Sequence, residues 1–274
     1  MNIMSLELFP LTKEQMFKLP QLSIGADSHS DTYKGFFMNE VLALETSAKR
    51  NLAPTGYARR SDGNGNLSLP DTILDVSSFY LFAHKTLVST IFILAKTVPR
   101  PKARGIQFNS FTKFRKSVEK HDTELLELLY RTCGKDLTWA QRAIIDKRDD
   151  LVQHWQGNAT NKLFPMIIIW DVPYLVYYNS EHKDSIDVSA VDTVLARARG
   201  KIKAQIDPAA DPLQKIAWLE AWQPSVSSGL QQDIDSLRND DYFITLPVTA
   251  QLCAKLDKLI ASLLKTALDI SEGK

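Results

Sequence analysis

The chain has 274 residues, 44% of them hydrophobic and 24% charged, with 33 basic residues set against 32 acidic ones. That length can bury a sizeable core, either as one domain or as a main domain with an appendage. A formal net charge of +1 excludes a global field that would gather nucleic acid or an anionic membrane, so any polyanion site has to be local.

Residues 1 to 34 show scattered apolar positions and turn-prone residues without a sustained period, and read as an arm or an irregular packing element. The start MNIMSLELFP lacks a basic region followed by an unbroken apolar run, which disfavours secretion and leads us to expect a cytoplasmic protein. GFFMNEVLALETSAKRN then places Phe36, Phe37, Val41, Leu42 and Leu44 at approximate helical spacing, before TGYARRSDGNGN makes a loop. GNGN lacks the GK[ST] continuation of a phosphate loop and reads as an ordinary turn. We therefore expect residues 1–66 to form an N-terminal arm with an accessory helix, and 67–274 the main body, the two joined in one cooperative unit.

From Asp71 to Thr97 the chain is rich in buried-type residues and stops near VPRP, where proline removes helical donors. Its core, FYLFAHKTLVSTIFILA, is interrupted by His84, Lys85, Ser89 and Thr90, so a buried helix is expected and a membrane span is not. His84 reads as a satisfied core histidine. After PKARG, Phe108, Phe111, Phe114 and Val118 lead into Leu125, Leu126, Leu128 and Leu129, as one long helix or two abutting ones up to Cys133-Gly134. Thr138-Trp139-Ala140-Gln141 fits a capping box and predicts a new helix running to about Trp155, ended by Gly157.

LFPMIIIWDVPYLVYYNS is rich in Ile, Val, Tyr and Trp but holds Pro165 and Pro173, which leaves short edge strands and an irregular excursion both open. Helical spacing returns over Val188 to Ile206 and Leu213 to Trp222. A Ser-, Gly- and Gln-rich linker, 223 to 236, precedes the clearest amphipathic helix, TAQLCAKLDKLIASLLKTALDI, with Leu252, Leu256, Leu259, Ile260, Leu263, Ala267 and Leu268 on one broad face. The fold class expected is mainly α: a helical bundle with additional helices and a short β or irregular insertion at about 160–245. Regular strand-helix alternation is missing, which argues against a large parallel sheet.

One segment carries most of the chemical interest. In KRDDLVQHWQG, Ile144, Arg148, Leu151 and Trp155 follow the course of a buried helical stripe, with arginine where Leu or Met would be simpler. A guanidinium cannot shed its proton, so it needs a carboxylate, carbonyls or a polar recess. Neither Asp149 nor Asp150 has the best helical spacing from Arg148, and a partner from another helix or chain is expected. His154 lies four residues after Asp150, which could orient its ring. Arg148 and His154 would sit about 9 Å apart along a helix axis and about 120° around it, flanking a shared edge. The plainer alternative is a buried ion-pair anchor at Arg148 and a helix-end histidine at His154.

The segment Arg148-Asp149-Asp150-Leu151-Val152-Gln153-His154 resembles the arginine-to-histidine motif of HEPN domains, a superfamily of small helical bundles. Many members are metal-independent endoribonucleases, often dimeric, and others are noncatalytic binding modules. The family spaces Arg and His by four to six residues with a polar residue after Arg; here the spacing is five and the polar residue is Asp149. The resemblance covers chiefly residues 107 to 160. It implies that Arg148 contacts a scissile phosphate, His154 transfers protons and Asp149 supports their geometry, with no metal or cofactor. It further implies RNA as substrate and a homodimer as the working unit, because one histidine cannot serve both proton transfers alone.

Arg100, Lys102 and Arg104, followed by Lys113, Arg115 and Lys116, form a basic patch that could guide a nucleic-acid backbone or simply solvate a connection. His121-Asp122 with Glu124 lacks a paired-histidine metal motif and reads as polar surface. His182 beside Tyr177 and Tyr178 could stack on a base but packs more economically, as do Trp218 and Trp222. Cys133 and Cys253 share no metal spacing and read as buried thiols in a reducing compartment.

Overall fold

The computed structural model describes residues 7–19, 30–52, 69–98, 106–149, 163–169, 173–179, 188–197, 215, 243–246 and 248–272. In chain order these form α1 (Pro10–Lys18), α2 (Ser30–Leu52), α3 (Leu69–Thr97), α4 (Phe111–Lys120), α5 (Glu124–Ala140), a π-helical turn (Gln141–Asp146), β1 (Leu163–Ile169), β2 (Pro173–Asn179), α6 (Val188–Arg197), β3 (Phe243–Leu246) and α7 (Ala250–Ser271). The fold is mainly α, as the apolar periodicity predicts. The chain divides into two bodies, one of Met1–Gly56, Ser77–Asp149 and Thr249–Lys274, the other of Tyr57–Val76 and Asp150–Val248. α1 and α2 belong to the first body.

That first body is helical among the described residues. α7 starts at Thr249, whose hydroxyl accepts from the Leu252 amide at 3.1 Å. It buries Leu256, Leu259, Ile260, Leu263, Ala267 and Leu268 of the expected stripe, with Cys253 and Leu264 besides, while Leu252 is only half-buried. Each buried leucine or isoleucine contributes about 1.5–3 kcal/mol. α7 packs against α1 and α5, and α5 packs against α4.

The N-terminal arm corrects the sequence reading, because it contains α1. Its first residue is Pro10, and its N-cap Phe9 makes no side-chain cap. The cap comes from α7 instead: the Asp257 carboxylate accepts from the amides of Leu11 (3.1 Å) and Thr12 (2.7 Å), and the Thr12 hydroxyl donates to the Asp257 carbonyl at 3.2 Å. These are amides that a helix start otherwise leaves unpaired. A second tie joins α1 to α2, where buried Glu45 meets Lys13 at 2.7 Å and Lys49 at 2.9 Å.

α3 accommodates its polar residues one by one. The buried hydroxyls of Thr86 and Thr90 donate to the carbonyls of Phe82 and Thr86, while Lys85 is exposed. By length and composition Pro70–Thr97 could cross a membrane, and half of its most apolar window is buried inside the protein.

α4 and α5 are two helices, separated at His121, which takes a left-handed φ of 37°. Ser110 caps α4 and Thr123 caps α5. The expected break at Cys133-Gly134 is absent: α5 runs through it. Thr138 accordingly caps nothing; inside the helix its hydroxyl reaches the Gly134 carbonyl and the Glu119 carboxylate. The capping-box pattern is local, and the continuous buried row Leu129, Cys133, Leu137 and Ala140 overrides it. Past Ala140 the helix widens into the π turn, spanned by a Gln141 to Asp146 side-chain hydrogen bond of 2.7 Å, then resumes α-helical geometry through Asp149.

The second body contains a three-stranded antiparallel sheet in the order β1-β2-β3, with Leu163 opposite Asn179 and Tyr178 opposite Phe243. The strand option for LFPMIII and PYLVYYN is thus the observed one. Pro165 lies on an edge strand and Pro173 opens the central one, positions where a missing amide is tolerated. β3 escaped the sequence reading, which placed only a linker before α7. Lys215, nearly buried, pairs with Asp192 of α6 at 3.1 Å.

Candidate functional site

Arg148 emerges one turn after the π widening and meets α3. Its Nη2 donates to Nε2 of His84 at 2.9 Å, with Nδ1 of the same ring at 3.4 Å, and its Nη1 lies 2.9 Å from the Asp149 carboxylate. The partner from another helix that the sequence calls for is therefore a histidine, while the carboxylate comes from the adjacent residue. Adjacent side chains seldom meet across a helix, but at this last described turn the long arginine folds back to do so.

The side chain is 27% exposed, and its buried Nε has no hydrogen-bond partner. A guanidinium has five N–H groups in a fixed fork, and buried donors are normally paired. Here the donors exceed the acceptors that the described residues supply.

His84, which the sequence reads as a satisfied core histidine, is the residue of α3 that meets Arg148. Burial, reinforced by the Arg148 charge, lowers its pKa from 6.5 to about 4, with the Asp149 carboxylate opposing. The ring is thus neutral at pH 7 and able to accept from a guanidinium that a protonated imidazole would repel. No local signal identified this role, because 64 residues separate the pair.

Asp149 stands where the motif puts it, beside Arg148. His154 and Asp150 lie outside the described residues, as do Arg100, Lys102 and Arg104. Lys113 and Lys116 are exposed on α4, whereas Arg115 pairs with Glu119 and keeps only 16% of its side chain exposed. His182, Trp218 and Trp222 also lie outside the described residues. Among the described residues no cluster of His, Cys, Asp or Glu could hold a metal ion. Burial pushes both thiols, Cys133 and Cys253, up to about 12, so neither is a nucleophile at neutral pH. A cleft of about 730 Å³ lined by Leu8, Pro10, Leu11, Ala254, Lys255 and Lys258 contains none of the expected site residues.

Comparison with protein-family models, with characterised proteins and with solved structures finds no match to this chain.

Proposed function

We propose that the Arg148 site is the phosphate-binding half of a metal-independent endoribonuclease of HEPN type, acting as a homodimer. The observation that carries this reading is the Arg148 guanidinium, part-exposed, held by neutral His84 on one side and Asp149 on the other, with donor capacity unspent. A fixed cation of this kind suits the charge that builds on phosphorus during transesterification. The RNA 2'-oxygen bonds to phosphorus as the bond to the 5'-oxygen breaks, leaving a 2',3'-cyclic phosphate and a 5'-hydroxyl. One proton leaves the 2'-hydroxyl and one reaches the departing oxygen. His154 handles one transfer, and its counterpart in a second copy of the chain the other. His84 acts as a positioning residue, because its ring nitrogen is already engaged by Arg148.

A second reading, a noncatalytic helical interaction module, is favoured by the Arg148–Asp149 ion pair, which already balances the charge within the chain. Incubation with single-stranded RNA in the presence of a chelator separates the two. Cleavage to cyclic-phosphate ends, lowered about 100-fold or more by Arg148→Ala and by His154→Ala with circular dichroism unchanged, supports the nuclease. A wild-type chain that does not cleave, or an Arg148→Ala variant that cleaves normally, supports the module. His84→Gln should retain most of kcat through its amide oxygen, whereas His84→Ala should lower it with little change in KM.

A further inference from the structure

At the corner between α4 and α5, His121 caps α4 through its amide, which donates to the Val118 carbonyl, and presents its ring to α5. His121 adopts φ 37°, a left-handed conformation that a non-glycine residue holds at a cost of about 1 kcal/mol or more. Its ring stacks on Tyr130, with centroids 4.9 Å apart and planes within 20°. Its Nδ1 lies 2.9 Å from the Glu119 carbonyl, which can only accept, so Nδ1 carries the hydrogen and Nε2 is left for another partner. Beneath the pair, Tyr130 lies so close over buried Gly134 that a Cβ there would stand 2.9 Å from its ring. The two rings are exposed, Tyr130 by 47%.

Leading up to this stack, Lys113, Lys116 and Lys120 occupy i, i+3 and i+7 of α4 and share one face. All three are exposed, and none forms an ion pair among the described residues. Of the acidic groups nearby in sequence, Glu119 pairs with Arg115 and Glu127 with Arg131, while the exposed Asp122 and Glu124 follow the row at the corner. The result is a row of unneutralised cations ending on a pre-stacked aromatic platform fixed in an unfavourable backbone conformation.

We propose that this corner binds single-stranded RNA, with the sugar-phosphate backbone along Lys113, Lys116 and Lys120 and a base stacked on His121. Single-strand sites combine these two elements, cations that track phosphates and an aromatic face that accepts any base. A duplex keeps its bases stacked internally and cannot use the ring. The inference rests on the RNA reading above and deepens it, because Gly134 and Arg148 lie on one continuous helix about 20 Å apart along its axis. It also revises the basic patch read from sequence: Lys120 and His121 join Lys113 and Lys116, and Arg115 leaves.

The test is binding of a fluorescent oligoadenylate of about 12 nucleotides to the full chain carrying Arg148→Ala, which keeps the probe intact. His121→Gly should relieve the backbone strain and raise stability, yet weaken binding at least about fivefold, the cost of losing one stacked base. Replacing Lys113, Lys116 and Lys120 by Gln should flatten the dependence of log affinity on log salt by about 2. An adenine analogue whose emission is quenched by stacking should lose that quenching in His121→Gly. Absence of binding, equal affinity of His121→Gly and its parent, or preference for duplex or anionic vesicles over the single strand would overturn the proposal. Binding that follows these rules in a chain that never cleaves RNA would retain the platform and remove the nuclease.

Discussion

Asp257 and Arg148 are charges withdrawn from water on two long helices of the same body, and the fold completes one of them while leaving the other unfinished. The Asp257 carboxylate, 3% exposed, takes two backbone amides at the start of α1, where the helix dipole also favours a negative group. Every bond it makes fastens one helix to another. Arg148 gives one N–H to a histidine and another to its own neighbour, and its Nε has no hydrogen-bond partner among the described residues. The bonds of Asp257 are accounted for by the architecture, whereas Arg148 keeps a donor that the described residues do not use.

Removing each group in turn tests that contrast. Asp257→Ala should give the largest stability loss, about 3 kcal/mol in urea denaturation, because it leaves buried helix-start amides without acceptors. Arg148→Met, which fills a similar volume without charge, should change stability by less than about 1 kcal/mol while ending cleavage. Comparable destabilisation of both variants would erase the distinction.

A smaller effect lies in the pH dependence. His84 has a folded pKa of about 4 against an ordinary 6.5, so the unfolded chain takes up its proton first on acidification. The neutral ring's contribution is therefore complete above pH 6.5 and is lost as pH falls toward 4. Glu45 behaves separately. Burial would raise its pKa, but its bonds to Lys13 and Lys49 prevail and hold it below 4.5, so its share disappears only at still lower pH. Between pH 6.5 and 4.5 the stability of the wild type should fall relative to His84→Gln, which cannot titrate. Parallel curves would mean that His84 is not held neutral by this site.

The smallest effect belongs to Gly134→Ala. Helix propensity favours alanine by about 1 kcal/mol, and displacement of the Tyr130 ring opposes it, so net stability should barely move. The visible change should be in NMR, where the His121 ring protons lose the shift that Tyr130 induces. An unaltered His121 spectrum would show that Gly134 does not seat the stack.

The parts legible in the sequence were those governed by repetition along the chain. The α7 stripe, the length of α3 and the Phe111 to Leu129 periodicity each repeat one apolar spacing many times, which fixes both type and face. What was not legible depended on a residue brought from far away. α1 has no cap of its own and is completed by Asp257, 245 residues distant from Thr12. β3 is four residues long and gains its identity from β2. Gly134 resembles a helix stop until Tyr130 is seen to cover it. In the candidate site, Arg148 was conspicuous as a charge in an apolar stripe and Asp149 followed from the motif. His84 could be found only in three dimensions, since a histidine in an apolar helix looks the same whether or not a guanidinium rests on it.

The π turn makes this last pairing depend on the local winding of the helix. A π turn accommodates one residue more than the α-helix it interrupts, so Gln141–Asp146 acts as a phase setting for everything beyond it. Rewinding those six residues as regular α-helix, with none removed, would rotate the terminal turn by about 100° and slide it by about 1.5 Å. Arg148 would then leave His84 without any change to either side chain.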